Sequence, residues 1–282
     1  MMTGSRVAEY YDANTRRFLA VGGSGAALAI HRPLWAEGVS TPAQAAAHVN
    51  DIIRTQAERH LGRAPRRVLD LGCGVGGSLF HLAPFWPEAE MTGITISAVQ
   101  RAKAEAEATR RNLSARCRFL RADFTEVRGS DADLAMAIES HVHAQSAAAF
   151  LDAAASALAT GGVLVIVDDM LRRPETDLTM AERRWLDRFR AGWRLGHVPD
   201  LDGLQAAADC AGFDRLDLQD LTPLIRLDRL RDRALHLAGP VAHRVGLNHW
   251  PIFANMIGGD ALTRLYKMGT MGYTCVTLRK RG

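Results

Sequence analysis

The sequence predicts an α/β fold: a seven-stranded, mostly parallel sheet with helices on both faces and an added helical lid. Three observations predict it. Between residues 66 and 169, short apolar runs alternate with helix-compatible stretches, the rhythm of repeated βαβ units. The first run, VLDL, ends in the glycine turn GCGVGG and leads into SLFHLA, the strand–turn–helix opening of a nucleotide-binding domain. Segments carrying arginines and aromatics then break the rhythm after the fifth and sixth strands. Additions of this kind lie over the carboxyl edge of an open sheet, where ligands bind.

The elements follow in order. AEYYDANTRRFLAVG and TPAQAAAHVNDIIRTQAERHLG read as helices, the second with Thr41 as N-cap and Pro42 at its first position. AIHRPLWAEGV lies between them as a loop or short helix. VLDLG is the first strand. MTGITIS is the second, followed by a helix through AVQRAKAEAEATRRN. RCRFLRAD is the third. DADLAMAIES is the fourth, followed by a helix through AAAFLDAAASALATGG, and VLVIVDDM is the fifth. The stretch from Leu171 to Pro199 reads as a helical insertion, polar on one side. DLDGLQAAADCAGF is a helix, DRLDLQDLT a strand, and DALTRLYKMG marks another helix. GYTCVTLRK closes the sheet as an antiparallel partner. The chain thus divides into an N-terminal helical cap (1–62), an α/β core (63–169), a lid insertion (170–200) and the end of the core (201–282), with a second lid insertion at 222–257.

Composition narrows the classes. The 282 residues are 48% hydrophobic and 23% charged, ordinary for a globular protein. No apolar run approaches the roughly 20 residues of a membrane span. The start lacks the apolar core of a secretory signal, so a cytoplasmic location is expected. Cys73, Cys117, Cys210 and Cys275 form no C-x-x-C pair, which argues against a zinc knuckle or disulfide scaffold. The net charge of +4 comes almost wholly from arginine, without a basic tract interleaved with aromatics, so no nucleic-acid partner is expected.

In the glycine turn, Gly72, Gly74, Gly76 and Gly77 let the backbone approach a ligand closely. The glycine turn alone does not separate the classes, because dinucleotide dehydrogenases share its geometry. Thr95, at the end of the second strand, replaces the acidic residue a dehydrogenase would place there for the ribose.

GCGVGG after VLDL resembles motif I of class I S-adenosylmethionine (SAM)-dependent methyltransferases. GITIS followed by Gln100 resembles the GITLS-type segment of sterol, tocopherol and related methyltransferases, and IESHVH resembles the I-E-x-x-x-H segment of the sterol enzymes. The resemblance covers 66–169 well and the flanks more loosely. It implies a Rossmann-like class I methyltransferase fold, SAM as cofactor, and C-methylation of an isoprenoid or terpenoid alkene through a carbocation that is deprotonated or cyclised. O- or N-methylation of a small secondary metabolite is the alternative. A non-catalytic SAM-binding protein is a third reading, which the intact motif I opposes.

The cofactor residues expected from this are Asp70, Gly72 and Gly74 for the methionine part and Thr95, Ser97 and Gln100 for the ribose. Asp123 would accept from the adenine amino group and Phe124 would stack on the ring. Tyr11 lies in the tyrosine-containing helix that covers SAM in the resembled family. Glu139 can contact both SAM and acceptor.

Glu139, His141 and His143 recur every second residue, so an extended segment would point all three the same way. They can take a proton from a cation or stabilise it, bind a metal as a 2-His-1-carboxylate set, or merely orient the loop. One of Asp168 and Asp169 is expected to face the site and the other to lie in a surface turn. Tyr10, Arg32, Trp185, Phe189, Tyr266 and Tyr273 are candidates for the acceptor pocket, with Trp193, Phe253 and Met256 as further apolar lining, where aromatic faces suit a cation. The lid arginines, among them Arg172, Arg173, Arg183, Arg188 and Arg190, could hold a diphosphate with Mg²⁺ or form a solvated helix face. The N-terminal helices could cover a second copy's site as easily as their own.

Overall fold

The computed structural model describes residues 12, 15, 28, 30–227 and 251–282, the last of these as backbone alone up to 256. Helix α1 spans Pro42–Leu61. Thr41 and Gln44 close a capping box at its start, and Gly62 ends it in the left-handed region. Its apolar face, with Val49, Ile53 and Ala57, is buried in the core.

The sheet order is β3-β2-β1-β4-β5-β7-β6. Its strands are β1 (Arg67–Leu71), β2 (Glu90–Thr95), β3 (Cys117–Arg121), β4 (Ala132–Ile138), β5 (Leu158–Leu171), β6 (Phe213–Asp220) and β7 (Met271–Lys280). Strands β3, β2, β1, β4 and β5 pair in parallel, and β7 inserts antiparallel between β5 and β6. The strand order reverses direction at β1 and β4. Ligands of open α/β sheets bind at that switch point, beyond the carboxyl ends. One apolar layer, with Leu79, Phe80, Trp86 and Phe119, covers one face. A second, with Phe150, Leu151, Leu204 and Phe213, covers the other.

The connecting helices are α2 (Gly77–Leu82), α3 (Ala98–Arg110), α4 (Ala147–Ala157) and α6 (Leu201–Cys210). The helix after β4 was expected to run to Gly162, but it stops at Ala157. Leu158 is already extended (φ −86°, ψ 146°) and opens β5. The alanine-rich run carries helix propensity past the true end. The sheet captures Leu158 opposite Ala132, and the register then shifts before Val163 resumes pairing with Leu134. Tertiary pairing overrides propensity here.

The lid is helix α5 (Met180–Trp193) packed against α7 (Pro251–Lys267). Thr179 and Glu182 form a capping box at the start of α5. Buried Glu182 also accepts from Thr270 Oγ1 (2.6 Å) and Arg173 (2.5 Å), which pins the lid to the chain just before β7. Helix α7 begins nine residues earlier than its sequence marker at Asp260. Most of the expected second insertion, 228–250, lies outside the described residues. No described helix is long and apolar enough to cross a membrane.

Candidate active site

The carboxyl ends of β1, β2 and β3 carry the first half of the site. Strand β1 places Asp70 in the interior without a hydrogen-bond partner among the described residues, and burial pushes its carboxyl up to about 8. A bare buried carboxyl at a glycine turn fits an ammonium group, which would return it to its ionised form. Gly72 follows at φ +117°. A Cβ there would meet the Cβ of Ser140 at 2.4 Å, and the Ser140 hydroxyl donates to the Leu71 carbonyl (2.5 Å). The missing side chain of Gly72 therefore lets β1 and β4 approach each other, rather than only opening space for a ligand. Gly74 (φ +54°) lies against Ile30.

At the end of β2, Thr95 Oγ1 donates to Gln100 Oε1 (2.7 Å) and accepts from Ser97 N–H (3.2 Å). The Ser97 hydroxyl accepts from Gln100 N–H (3.1 Å) as the N-cap of α3. It also donates to Asp12. After β3, Asp123 caps a short turn, accepting from Thr125 N–H (2.9 Å) and Thr125 Oγ1 (2.6 Å). Phe124 meets Phe150 edge-on with ring centroids 5.6 Å apart.

The ends of β4, β5 and β7 carry the second half, and Arg32 is its centre. Its backbone N–H donates to Glu139 Oε1 (2.8 Å), and its guanidinium pairs with Glu139 (3.2 Å) and Asp169 (2.8 Å). Tyr273 Oη donates to Glu139 Oε1 (2.9 Å), and Tyr266 Oη donates to Asp169. The guanidinium also lies over the rings of Trp193 (5.2 Å), Tyr273 (5.2 Å) and Tyr266 (5.9 Å). Burial works against this charge, but Asp169 and Glu139 overcome it and hold Arg32 well above its usual value. Burial raises Asp169, with Arg32 opposing, and raises Asp168 well up with Asp169 adding to it.

The segment after β4 does not extend as expected. Glu139 has φ +50°, and His141–His143 form a turn of 3-10 helix. With three residues per turn, positions two apart no longer share a face. His141 is fully buried, 4.8 Å from the Phe150 ring and 5.4 Å from His197, with neither ring nitrogen hydrogen-bonded. Burial lowers its pKa to about 3. His143 stays on the Glu139 side. Burial lowers it to about 4, against the pull of Glu139. Among the described residues, no three metal-ligating side chains come together in a geometry that could hold a metal ion. The 2-His-1-carboxylate arrangement thus does not form.

Other expectations shift as well. Asp168 and Asp169 are both buried, so neither lies in a surface turn. Asp168 accepts from Val142 N–H (3.2 Å) and Asp169 N–H (2.9 Å). Phe189 is core, packed on Trp193, and Trp185 is sandwiched by Arg188 and Arg264 rather than turned to the cage. Arg172 pairs with Asp220, Arg173 with Glu182 and Arg190 with Glu175, while Arg183 donates to backbone carbonyls. Tyr10 and Tyr11 lie outside the described residues. The sequence places Trp193 among the pocket aromatics and one of Asp168 and Asp169 at the site, but ties neither to Arg32. Two adjacent aspartates in an otherwise apolar strand were the available signal, because buried carboxyls need partners.

A methyltransferase-domain family model matches residues 68–162. An O-methyltransferase of Penicillium expansum is 30% identical over 217 residues, covering 76% of this chain and 71% of that protein. The chain belongs to the methyltransferase-domain family. It is a SAM-dependent methyltransferase. The methyltransferase is also 29% identical to a sterol 24-C-methyltransferase of Gibberella zeae, over 55% of this chain but only 41% of that protein. A solved geranyl diphosphate methyltransferase superposes with a TM-score of 0.74 over 98% of both chains, at 16% identity, a likeness of fold.

Proposed function

We propose that this methyltransferase transfers the SAM methyl to a carbon of an isoprenoid or terpenoid alkene, giving a cation that then loses a proton or cyclises. The observation that carries the reading is the cage around Arg32. Trp193, Tyr266 and Tyr273 face a planar, delocalised cation, and Glu139 and Asp169 flank it. A tertiary carbocation makes the same demand for π faces and nearby negative charge. Two carboxyls outnumber the one guanidinium, so a second cation developing beside them is tolerated.

The basicity of the site agrees. His141 and His143, lowered to about 3 and about 4, are neutral at pH 7 yet weak bases. Such imidazoles serve poorly to deprotonate an alcohol or phenol. They suffice for the strongly acidic C–H beside a carbocation, and His143, near Glu139, is the base we assign. SAM supplies an electrophilic methyl on a sulfonium. Asp70 would hold its amino group, the Thr95–Ser97–Gln100 cluster its ribose, and Asp123 with Phe124 its adenine. The lid would exclude water and keep the alkene aligned for in-line transfer.

The acceptor we favour is a neutral terpenoid. Arg172, Arg173 and Arg190 already pair with acids, and a diphosphate held with Mg²⁺ would have to break those pairs. The Penicillium O-methyltransferase supports the second reading, O- or N-methylation of a small secondary metabolite. The test is incubation with SAM and a panel of prenyl diphosphates, neutral terpenoid alkenes, phenols and amines, with and without Mg²⁺. Products are read by mass spectrometry and NMR. A new carbon–methyl bond on an alkene is expected. Methylation confined to oxygen or nitrogen would overturn the reading.

A further inference from the structure

We propose that Asp12 is the carboxylate that holds the ribose of SAM, brought from the N-terminal part of the chain to a place where the sheet supplies none. Nucleotide-binding α/β domains commonly hold a ribose diol with an acidic side chain at the end of the second strand. That position here is Thr95, and its neighbours spend their polar groups on one another. The Thr95 hydroxyl hydrogen goes to Gln100 Oε1, and the Ser97 hydroxyl hydrogen goes to Asp12. What a diol needs is an acceptor for its O–H groups, and the amide nitrogen that Gln100 has left is a donor.

Asp12 supplies the acceptor. Its Oδ1 takes the bond from the Ser97 hydroxyl and a second from Val99 N–H (3.3 Å), at the start of α3. Both bonds fall on the same oxygen. Oδ2 has no hydrogen-bond partner among the described residues. The carboxylate is thus anchored by one oxygen at the positive end of α3, with the other left over beside the expected ribose cluster. A residue 85 positions from Ser97 completes the pocket. Asp12 and Ser97 cap different donors of α3, Val99 N–H and Gln100 N–H, and Oδ1 alone serves that role, so capping leaves Oδ2 unused.

The inference rests on SAM being the cofactor, so its test separates the two. Dissociation constants are measured by calorimetry for S-adenosylhomocysteine and for its 2′,3′-dideoxy analogue. The proteins are wild type, Asp12→Asn and Ser97→Ala, each checked for native circular dichroism. Asp12→Asn is expected to weaken S-adenosylhomocysteine about 10-fold or more, the loss of a hydrogen bond to a charged group. It is expected to leave the dideoxy analogue within about twofold, since that ligand has no hydroxyls to lose. Ser97→Ala keeps the carboxylate but frees its anchor, and the same selective loss is expected at smaller size. An equal loss for both ligands, or no loss for either, would overturn the assignment. Failure of the wild type to bind S-adenosylhomocysteine at all would overturn the cofactor instead, and this placement with it.

Discussion

The two halves of the carboxyl edge are built from contacts of different range. In the cofactor half, Thr95, Ser97 and Gln100 bond one another within five positions, and Asp123 bonds Thr125 two positions on. In the acceptor half, Arg32 reaches Glu139 across 107 positions and Asp169 across 137, and Tyr273 reaches Glu139 across 134. Apart from Asp12, which meets Ser97 across 85 positions, the ribose and adenine residues of the first half are nearly prescribed by loop chemistry at strand ends. The second exists only once β4, β5 and β7 lie side by side and the segment before α1 has folded over them. A shared cofactor pocket can thus stay constant while the acceptor wall changes.

The largest effect that would break this division concerns Glu139. Glu139→Gln is expected to lower kcat by about 10²- to 10⁴-fold while S-adenosylhomocysteine binding stays within about threefold. A parallel loss of binding, read by calorimetry, would move Glu139 into the cofactor half. Arg32→Met should follow in size. It leaves buried Asp169 and half-buried Glu139 without their cation, which costs about 3–5 kcal/mol of stability in urea unfolding. A loss under about 1 kcal/mol would mean that the cage does not depend on the ion pairs.

The cofactor half is sharpened by pH. Asp70, pushed by burial to about 8 when folded against an ordinary 3.8, is mostly protonated at pH 6 in the ligand-free protein and half ionised near pH 8. The sign follows: a raised folded value stabilises below the unfolded value, and this contribution is lost as pH rises through 8. An incoming ammonium restores the ionised form and releases a proton. Cofactor binding should therefore tighten from pH 6 to 8, by up to about tenfold per unit, and Asp70→Asn should flatten the profile. In the acceptor half, His143 at about 4 and His141 at about 3 do not titrate between pH 6 and 8. Turnover at saturating SAM should be flat with respect to them, and a step near pH 6.5 would show an imidazole with an ordinary value. The smallest effect belongs to the lid. Glu182→Ala removes half of the α5 capping box and the bond from Thr270, and about 1–2 kcal/mol of stability should go with it. S-adenosylhomocysteine affinity should be unchanged.

The same contrast in range explains what could be read from the sequence. The glycine turn, the α1 start at Thr41–Pro42 and the antiparallel closing strand are local patterns, and they appear where expected. The helix that stops at Ala157 misled because its end is set by pairing of Leu158 with β4, not by composition. Glu139, His141 and His143 alternate on paper, but φ +50° at Glu139 and the tight turn after it send His141 into the core. Arg32, Trp193 and one of the two adjacent aspartates are expected near the site, but their pairing with one another is not legible, since nothing nearby in sequence ties them together. Asp12 carried no signal at all, because its neighbours in space are far along the chain.

The central claim is that the acceptor wall stabilises a cation rather than deprotonating a nucleophile. It is tested most directly by comparing two inhibitors in the presence of S-adenosylhomocysteine. One is a terpenoid amine whose protonated nitrogen replaces the cationic carbon, and the other is its neutral hydrocarbon counterpart. Mimics of a cationic intermediate bind well above substrate-like ligands when the site complements that charge. The amine is predicted to bind about 100-fold tighter or better, with the advantage lost in Glu139→Gln. Equal affinity for the two would contradict the account.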